Sequence, residues 1–192
     1  MRNFSPSQQF FAIGQTIQAN FHLAKRETVY AWLSYYTPGK FSNDYTAVAK
    51  SPTTVPPTKR IKVSGRWLSN EISVGWKHYF KGGYDEPTWS LYTLAGFGLM
   101  LAKVENSYEP AVDTSAYVFL GPAPGSNSFK RLTFDLGIGM EYAIGGNFFL
   151  YGDIRTWIPT SDYPSPYLHD NRNVPLPITL SAGLRILFDM GY

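Results

Sequence analysis

The chain of 192 residues contains no cysteine. Neither a disulfide framework nor a cysteine-based zinc site is therefore available. No stretch approaches the roughly 18 consecutive apolar residues that a membrane-spanning helix requires, and mean hydropathy is only −0.20. The segment after Met1 lacks an apolar targeting core and a small-residue cleavage site. We therefore exclude helical membrane insertion, and expect either a mature or trimmed form or a protein that is not exported.

What the chain has instead is aromatic side chains and period-two alternation. Phe, Trp and Tyr make up 17% of the residues, and Tyr is the commonest of them. Tyr and Trp favour the boundary between water and hydrocarbon. The length suffices for one domain with a substantial buried surface, so we predict a single domain over residues 1–192. No segment has a convincing helical period.

The final strand shows the alternation most clearly. One face carries Ile178, Leu180, Ala182, Leu184, Ile186, Phe188, Met190 and Tyr192, whereas Thr179, Ser181, Gly183, Arg185 and Asp189 lie on the other. The same division recurs in several earlier segments, such as 132–144. In a water-soluble barrel the apolar face would point inward, but in a membrane barrel it must point into lipid.

Short turns alternate with long loops along the chain. Turns are predicted at 25–27, 81–86 and 145–147, and long loops at about 38–57, 105–128 and 159–175. Within 60–80 the apolar positions change from odd to even residue numbers. Either one extra residue near 68–70, forming a β-bulge, or a hairpin turn there would explain this change.

Charged residues occur on the faces opposite the bulky apolar ones. They are mixed in sign and flanked by Gly, Ala, Ser and Thr. A water-facing exterior would be expected to carry more Lys and Glu, whereas the narrow interior of a small barrel needs small side chains and paired charges. We therefore predict interior charges at Glu71, Asp135, Glu141, Asp153, Arg155 and Arg185.

The hairpin 136–147 (LGIGMEYAIGGN) and the terminal segment 180–188 (LSAGLRILF) resemble the small outer-membrane β-barrels of Gram-negative bacteria, a group that includes the transmembrane domain of outer membrane protein A. The resemblance implies an all-β, antiparallel, up-and-down transmembrane β-barrel of about eight strands in the bacterial outer membrane. Short turns would lie in the periplasm and long loops outside. In that family the last strand carries an insertion signal, which Leu184, Ile186, Phe188, Met190 and Tyr192 match.

One feature departs from the family. Only seven convincing strands can be counted, whereas the family has an even number. We expect the first strand, preceded by a signal peptide, to lie upstream of residue 8 or to be supplied in some other way.

Basic residues concentrate in or beside the predicted long loops. Ordinary solvation of loops is one explanation. The other is contact with lipopolysaccharide phosphates, for which the candidates are Lys40, Lys59, Arg60, Lys130, Arg131 and Arg172. The pI of about 9.0 does not indicate nucleic acid, because no basic run is interleaved with stacking aromatic residues.

Catalytic and metal-binding patterns are weak. The only conceivable acyl-transfer cluster is His169 with Asp162, Asp170 and Ser165, all in one loop; His22 and His78 lie near predicted short turns. No metal-ligand spacing is present, and no cofactor is expected. We therefore predict a protein that is not an enzyme.

The hypothesis that remains is a structural, adhesion or accessory-subunit role. The expected partners are outer-membrane lipid, lipopolysaccharide and a further outer-membrane protein or surface ligand. The Tyr- and Pro-rich loops would make these contacts, unless their aromatic residues only stabilise the loops. Two alternatives remain open: a lipid-modifying outer-membrane enzyme, and a soluble calycin-like barrel that binds an apolar ligand. Eight strands would leave a lumen that side chains fill, so we expect at most poor conductance.

Overall fold

The computed structural model describes residues 9–160, 167 and 177–188. These residues form one antiparallel β-sheet, which confirms the predicted all-β, up-and-down architecture. The strands are β1 (Gly14–Ala24), β2 (Glu27–Tyr36), β3 (Gly39–Ala49), β4 (Thr58–Lys81), β5 (Trp89–Glu109), β6 (Tyr117–Val118), β7 (Gly125–Gly145), β8 (Phe148–Pro159) and β9 (Ile178–Ile186). Among the described residues, no helix is long and apolar enough to cross a membrane.

Strands β2 and β3 act as one long strand along β4. Tyr35 of β2 pairs with Asn70, and Gly39 of β3 pairs with Trp67, so this side carries one extra residue in a bulge around Pro38. Proline suits a bulge because it has no N–H to donate to the ladder. The predicted loop over 38–57 is therefore wrong for residues 39–49, which are strand. The predicted loop over 105–128 is likewise too long, because β5 extends to Glu109 and β7 begins at Gly125.

The predicted bulge or hairpin at 68–70 is also wrong. Pairing of β4 with β5 runs without interruption from Lys62 opposite Glu109 to Tyr79 opposite Tyr92. Odd-numbered residues of β4 face inward from Lys59 to Tyr79. The apolar residues change from odd to even numbers because the face of the strand that meets an apolar environment changes along β4. Ile61 and Val63, near the start of β4, are buried inside, whereas the second half of the strand turns its apolar residues outward.

The outward-facing residues of the second half of β4, together with those of the neighbouring strands, form a continuous apolar belt around the sheet. On β7 it runs from Leu132 to Ile144, twelve residue steps or about 41 Å of strand. A tilt of about 40° reduces this to about 30 Å, the thickness of a bilayer's hydrocarbon core. Aromatic side chains mark the end near the short turns, including Phe80, Trp89, Tyr142 and Phe148. An antiparallel sheet with such a belt has the architecture of a transmembrane β-barrel, and its apolar faces point outward rather than inward as the soluble-barrel alternative required.

The sheet curls so that its two edge strands, β1 and β9, approach each other. Seven strands of the described residues cross the belt, and β1 and β9 run in the same direction. No backbone pairing joins them among the described residues. Contacts between inward side chains do connect the two sides: Arg155 Nη2 donates to Gln18 Oε1 at 2.8 Å, and Arg185 Nη1 lies 3.4 Å from His22 Nε2.

Candidate functional site

The space enclosed by the sheet, which we call the lumen, contains two compensated carboxylates. Glu141 accepts hydrogen bonds from Lys77 Nζ and from the Tyr79 hydroxyl at 2.9 Å, and its Oε2 lies 3.2 Å from Arg185 Nε. Each of these charged side chains is at most 7% exposed. Buried charges are tolerated when they are paired in this way.

The second compensated carboxylate is Asp153. Arg155, on the same face of β8, donates to it through Nε at 2.8 Å and through Nη2 at 2.5 Å. The same guanidinium carbon lies 3.9 Å from the centroid of the Trp32 ring, across the lumen. This pair therefore links β8 to β2 without adding net charge.

Glu71 and Asp135 form a third group of different character. Asp135 accepts hydrogen bonds from Ser73 and, at 2.9 Å, from Thr133. Glu71 is 2% exposed, and neither of its carboxylate oxygens has a hydrogen-bond donor. No Lys, Arg or His in the described part of the chain lies within ion-pair distance of either carboxylate.

The structure thus places all six residues predicted as interior charges inside the sheet: Glu71, Asp135, Glu141, Asp153, Arg155 and Arg185. Sequence reasoning missed Lys77, which is 2% exposed. The signal was present, because Lys77 shares the odd-numbered face of β4 with Glu71 and Ser73. It was obscured because the apolar positions of 60–80 change from odd to even numbers, which made the two faces of this strand hard to assign.

Large aromatic side chains fill the lumen among these charges. Tyr30, Trp32, Tyr79, Tyr92 and Leu94 pack as one buried cluster. The Tyr30 and Trp32 rings stack at 4.7 Å. Gly75 and Gly96 leave room on the neighbouring strands for the Tyr30 hydroxyl. This packing leaves little space for a water-filled path.

Beyond the belt, β3, residues 58–67 of β4 and residues 102–109 of β5 continue as what we call the strand platform. Its inner face is apolar, with clusters around Trp67 and Val104 and around Ile61 and Tyr117. Its outer face is charged. Polarity is therefore inverted relative to the belt, as it must be when strands leave lipid and enter water.

Aromatic residues predicted to lie in loops pack inside this platform. Phe119 contacts Tyr45 and Tyr108, with ring centroids 5.6 and 4.9 Å away. Burial raises the pKa of Tyr45 to about 12. Tyr117 is 8% exposed and donates to the Pro56 carbonyl at 3.0 Å. In the predicted loop 159–175, Tyr167 packs beside the Trp67 cluster, and Tyr163 lies outside the described residues.

The outer face of the platform carries rows of paired strand positions. Lys40, Arg66 and Glu105 form one row; Ser42, Ser64 and Ser107 form the next; Asp44, Lys62 and Glu109 form a third. A shallow cavity of about 490 Å³ lies over these rows. Two acidic residues in these rows form ion pairs. Asp44 lies 2.7 Å from Arg60, and Glu105 lies 2.6 Å from Lys103. The hydrogen bond from Lys103 lowers the pKa of Glu105, and the charges of Lys103 and Arg66 lower it further.

The predicted lipopolysaccharide contacts take different positions. Lys40 and Lys130 are exposed on the outer face. Lys59 donates to the Ala111 carbonyl at 3.3 Å, and Arg60 is held by Asp44. Arg131 faces inward, with Nε and Nη2 buried. Arg172 lies outside the described residues.

The described histidines are each held by a neighbour. His22 Nδ1 lies 2.7 Å from Thr28 Oγ1 and its ring stacks on Tyr84 at 4.1 Å. His78 Nδ1 lies 2.6 Å from Glu27 Oε1. The third histidine, His169, and its proposed companions Asp162, Ser165 and Asp170 lie outside the described residues.

The proposed insertion signal is described in part. Leu184, Ile186 and Phe188 point outward and are 51%, 45% and 79% exposed. Met190 and Tyr192 lie outside the described residues.

No family model and no curated protein matches the chain. Among solved structures, it is similar to Ail, the attachment invasion locus protein of Yersinia pestis, with 14% identity over 77% of this chain and 82% of that chain, and a TM-score of 0.31. The same protein in complex with the heparin analogue sucrose octasulfate gives a TM-score of 0.30. Similarity at this level carries no information about function, and no comparison assigns the chain to the outer membrane protein A-like family.

Proposed function

We propose that the chain is a non-enzymatic outer-membrane β-barrel that displays a rigid, charged strand platform outside the membrane. The platform would act in adhesion or as an accessory surface, in contact with lipopolysaccharide. The barrel would belong with the small outer-membrane barrels of Gram-negative bacteria, with its short turns in the periplasm.

The observation that carries this proposal is the inversion of polarity along β4 and β5. A simple membrane anchor needs strands only as long as the belt. Here β4 has 24 residues and β5 has 21, whereas about 9–11 residues suffice to cross a bilayer. The additional residues are well packed, because Ile61, Val63 and Val104 are fully buried inside the platform. A stiff projection of this kind suits contact with other molecules.

Four cations form a collar where the platform meets the belt: Lys40, Arg66, Lys103 and Lys130. Lys130 lies two residues beyond the outermost belt residue of its strand, Leu132, which is about 7 Å along the strand. Lys103 lies two residues beyond Leu101. This is the level of lipid headgroups, and Lys and Arg are good phosphate ligands there. We therefore propose the collar as the set of residues that contact lipopolysaccharide. Two of the candidates from the sequence, Arg131 and Lys59, are left out because they face inward.

The test is binding of purified, detergent-solubilised protein to lipopolysaccharide and to dephosphorylated lipopolysaccharide. The variant K40S/K130S removes two exposed collar cations. Each cation near an anionic lipid surface contributes about 1 kcal/mol, so we expect about 30-fold weaker binding to the phosphorylated form. The matched control K25S/R26S removes two positive charges from the short turn between β1 and β2, and should bind as the wild type does.

Equal weakening by the control variant, or equal binding of the dephosphorylated lipid, would contradict the collar. Binding to heparin without binding to lipopolysaccharide would instead identify the outer face as a site for free sulfated glycans.

We also propose that an additional strand, antiparallel to both β1 and β9, lies between these edges in the membrane. Two edges that run in the same direction can be joined in an antiparallel manner only through an odd number of further strands. Unpaired backbone groups facing hydrocarbon each cost several kcal/mol, so an open seam is not expected in lipid.

A further inference from the structure

The least compensated group in the lumen is the carboxylate pair Glu71 and Asp135. The other two interior carboxylates, Glu141 and Asp153, are each bound by Lys or Arg. Glu71 is 2% exposed and Asp135 is fully buried, yet neither has a cation within ion-pair distance among the described residues. An isolated buried carboxylate is costly, so two together call for a further partner.

The oxygens of this group converge on one point beside Gly98 of β5. Gly98 lies between Ser73 and Thr133 in the sheet. A Cβ atom placed on Gly98 would be 2.6 Å from Thr133 Oγ1, 2.9 Å from Asp135 Oδ2 and 3.1 Å from Glu71 Oε1. A side chain at position 98 would therefore collide with these oxygens, whereas glycine lets oxygen atoms of β4 and β7 lie together against the β5 backbone, in what we call the cradle.

We propose that this cradle binds a hard divalent cation, for which Ca²⁺ is the best fit. All the converging ligands are oxygens, and two of them belong to carboxylates, which is the ligand set that Ca²⁺ and Mg²⁺ prefer. Ca²⁺ tolerates irregular geometry and bonds at about 2.3–2.6 Å, so it can use carboxylate and hydroxyl oxygens that come from different strands. Mg²⁺ demands near-octahedral geometry and gives up its water reluctantly, which a dry lumen does not suit.

The surrounding charges are consistent with this assignment. Arg155 is held by Asp153 and Gln18. Arg131 lies in the same row as Glu71, but Met100 separates them, which places their backbones about 10 Å apart. A proton shared between Glu71 and Asp135 is the alternative to a cation, because it would also hold the two carboxyl groups together, and the experiments below distinguish the two.

The test uses the full chain folded in detergent or lipid. Tb³⁺, a luminescent substitute for Ca²⁺, should bind saturably and be displaced by Ca²⁺, with its emission sensitised by the nearby Tyr30. The isosteric variant E71Q should weaken Tb³⁺ binding by about tenfold or more, since it removes one of two charged ligands. E109Q, on the exposed end of β5, is the matched control and should bind as the wild type does.

A second measurement does not depend on any variant. Ca²⁺ should raise the unfolding midpoint of the wild type relative to the same protein in EDTA, because a ligand bound only by the folded state stabilises it. An unfolding midpoint that does not respond to Ca²⁺ or EDTA would overturn the proposal, and so would Tb³⁺ emission that persists in E71Q. In either case the pair would be neutralised by a proton or by movement of Arg131.

Discussion

Glu141 pairs with both Lys77 and Arg185 inside the lumen. Replacing Glu141 should therefore lower the free energy of unfolding more than replacing Lys77. In K77M, Glu141 keeps the Tyr79 hydroxyl at 2.9 Å and Arg185 at 3.2 Å. The loss should be about 1–3 kcal/mol, below the usual range for breaking a buried pair. In E141Q, two cations that are at most 7% exposed lose their shared anion. That loss should reach about 3–5 kcal/mol, even though Lys77 retains its contact with the Tyr92 ring at 3.8 Å.

The assay is urea unfolding of the barrel in lipid vesicles, followed by tryptophan fluorescence, for wild type, K77M, E141Q and the double variant. The double variant should cost less than the sum of the single variants, because removing Lys77 relieves part of the unpaired charge that E141Q leaves. K25M, in an exposed turn, should change stability by less than about 0.5 kcal/mol. If K77M were more destabilising than E141Q, or if their effects were additive, the reasoning from this network would be refuted.

Three further results are expected. Ile138→Arg, in the outward belt, should destabilise the membrane-folded barrel by about 2–4 kcal/mol in the same assay, whereas Ser42→Arg on the platform should not; equal effects would contradict the assignment of the belt. If an additional strand separates β1 and β9, the cysteine pair A19C/A182C should not form a disulfide, because bridging requires Cα atoms within about 7 Å. The directly opposed pair A19C/A31C should form one under the same oxidation, and bridging of both pairs would show that β1 and β9 pair directly. Planar bilayer recordings should show no large, steady channels, because aromatic side chains fill the lumen; large, steady channels would contradict this packing.

The sequence predicted those parts of the fold in which one environment holds along a whole strand. On β7, Leu132 to Ile144 alternate without interruption, and the structure turns them all outward. The six interior charges could be assigned for the same reason. Period-two alternation reports directly which residues share a face.

The sequence was misleading where a strand passes from one environment to another. On β4 the inward residues change from apolar, as at Ile61, to polar, as at Glu71, while the backbone continues without a bulge. Apolarity alone cannot distinguish this inversion from a one-residue slip. The same ambiguity hid β3, where Phe41 and Ala47 face a dry interior while Ser42, Asp44 and Thr46 alternate with them. Lateral contacts, such as the convergence of Glu71 and Thr133 at Gly98, depend on strand register and were not predictable from one chain.

The central claim, that the belt spans the outer membrane with the platform outside, can be tested by labelling single cysteines, since the chain has none of its own. Ser42→Cys on the platform and Asn147→Cys in the turn between β7 and β8 are both exposed positions. In intact cells a membrane-impermeant maleimide should label S42C, and it should label N147C only after the outer membrane is disrupted. Labelling of N147C but not S42C in intact cells, or equal labelling of both, would contradict the account.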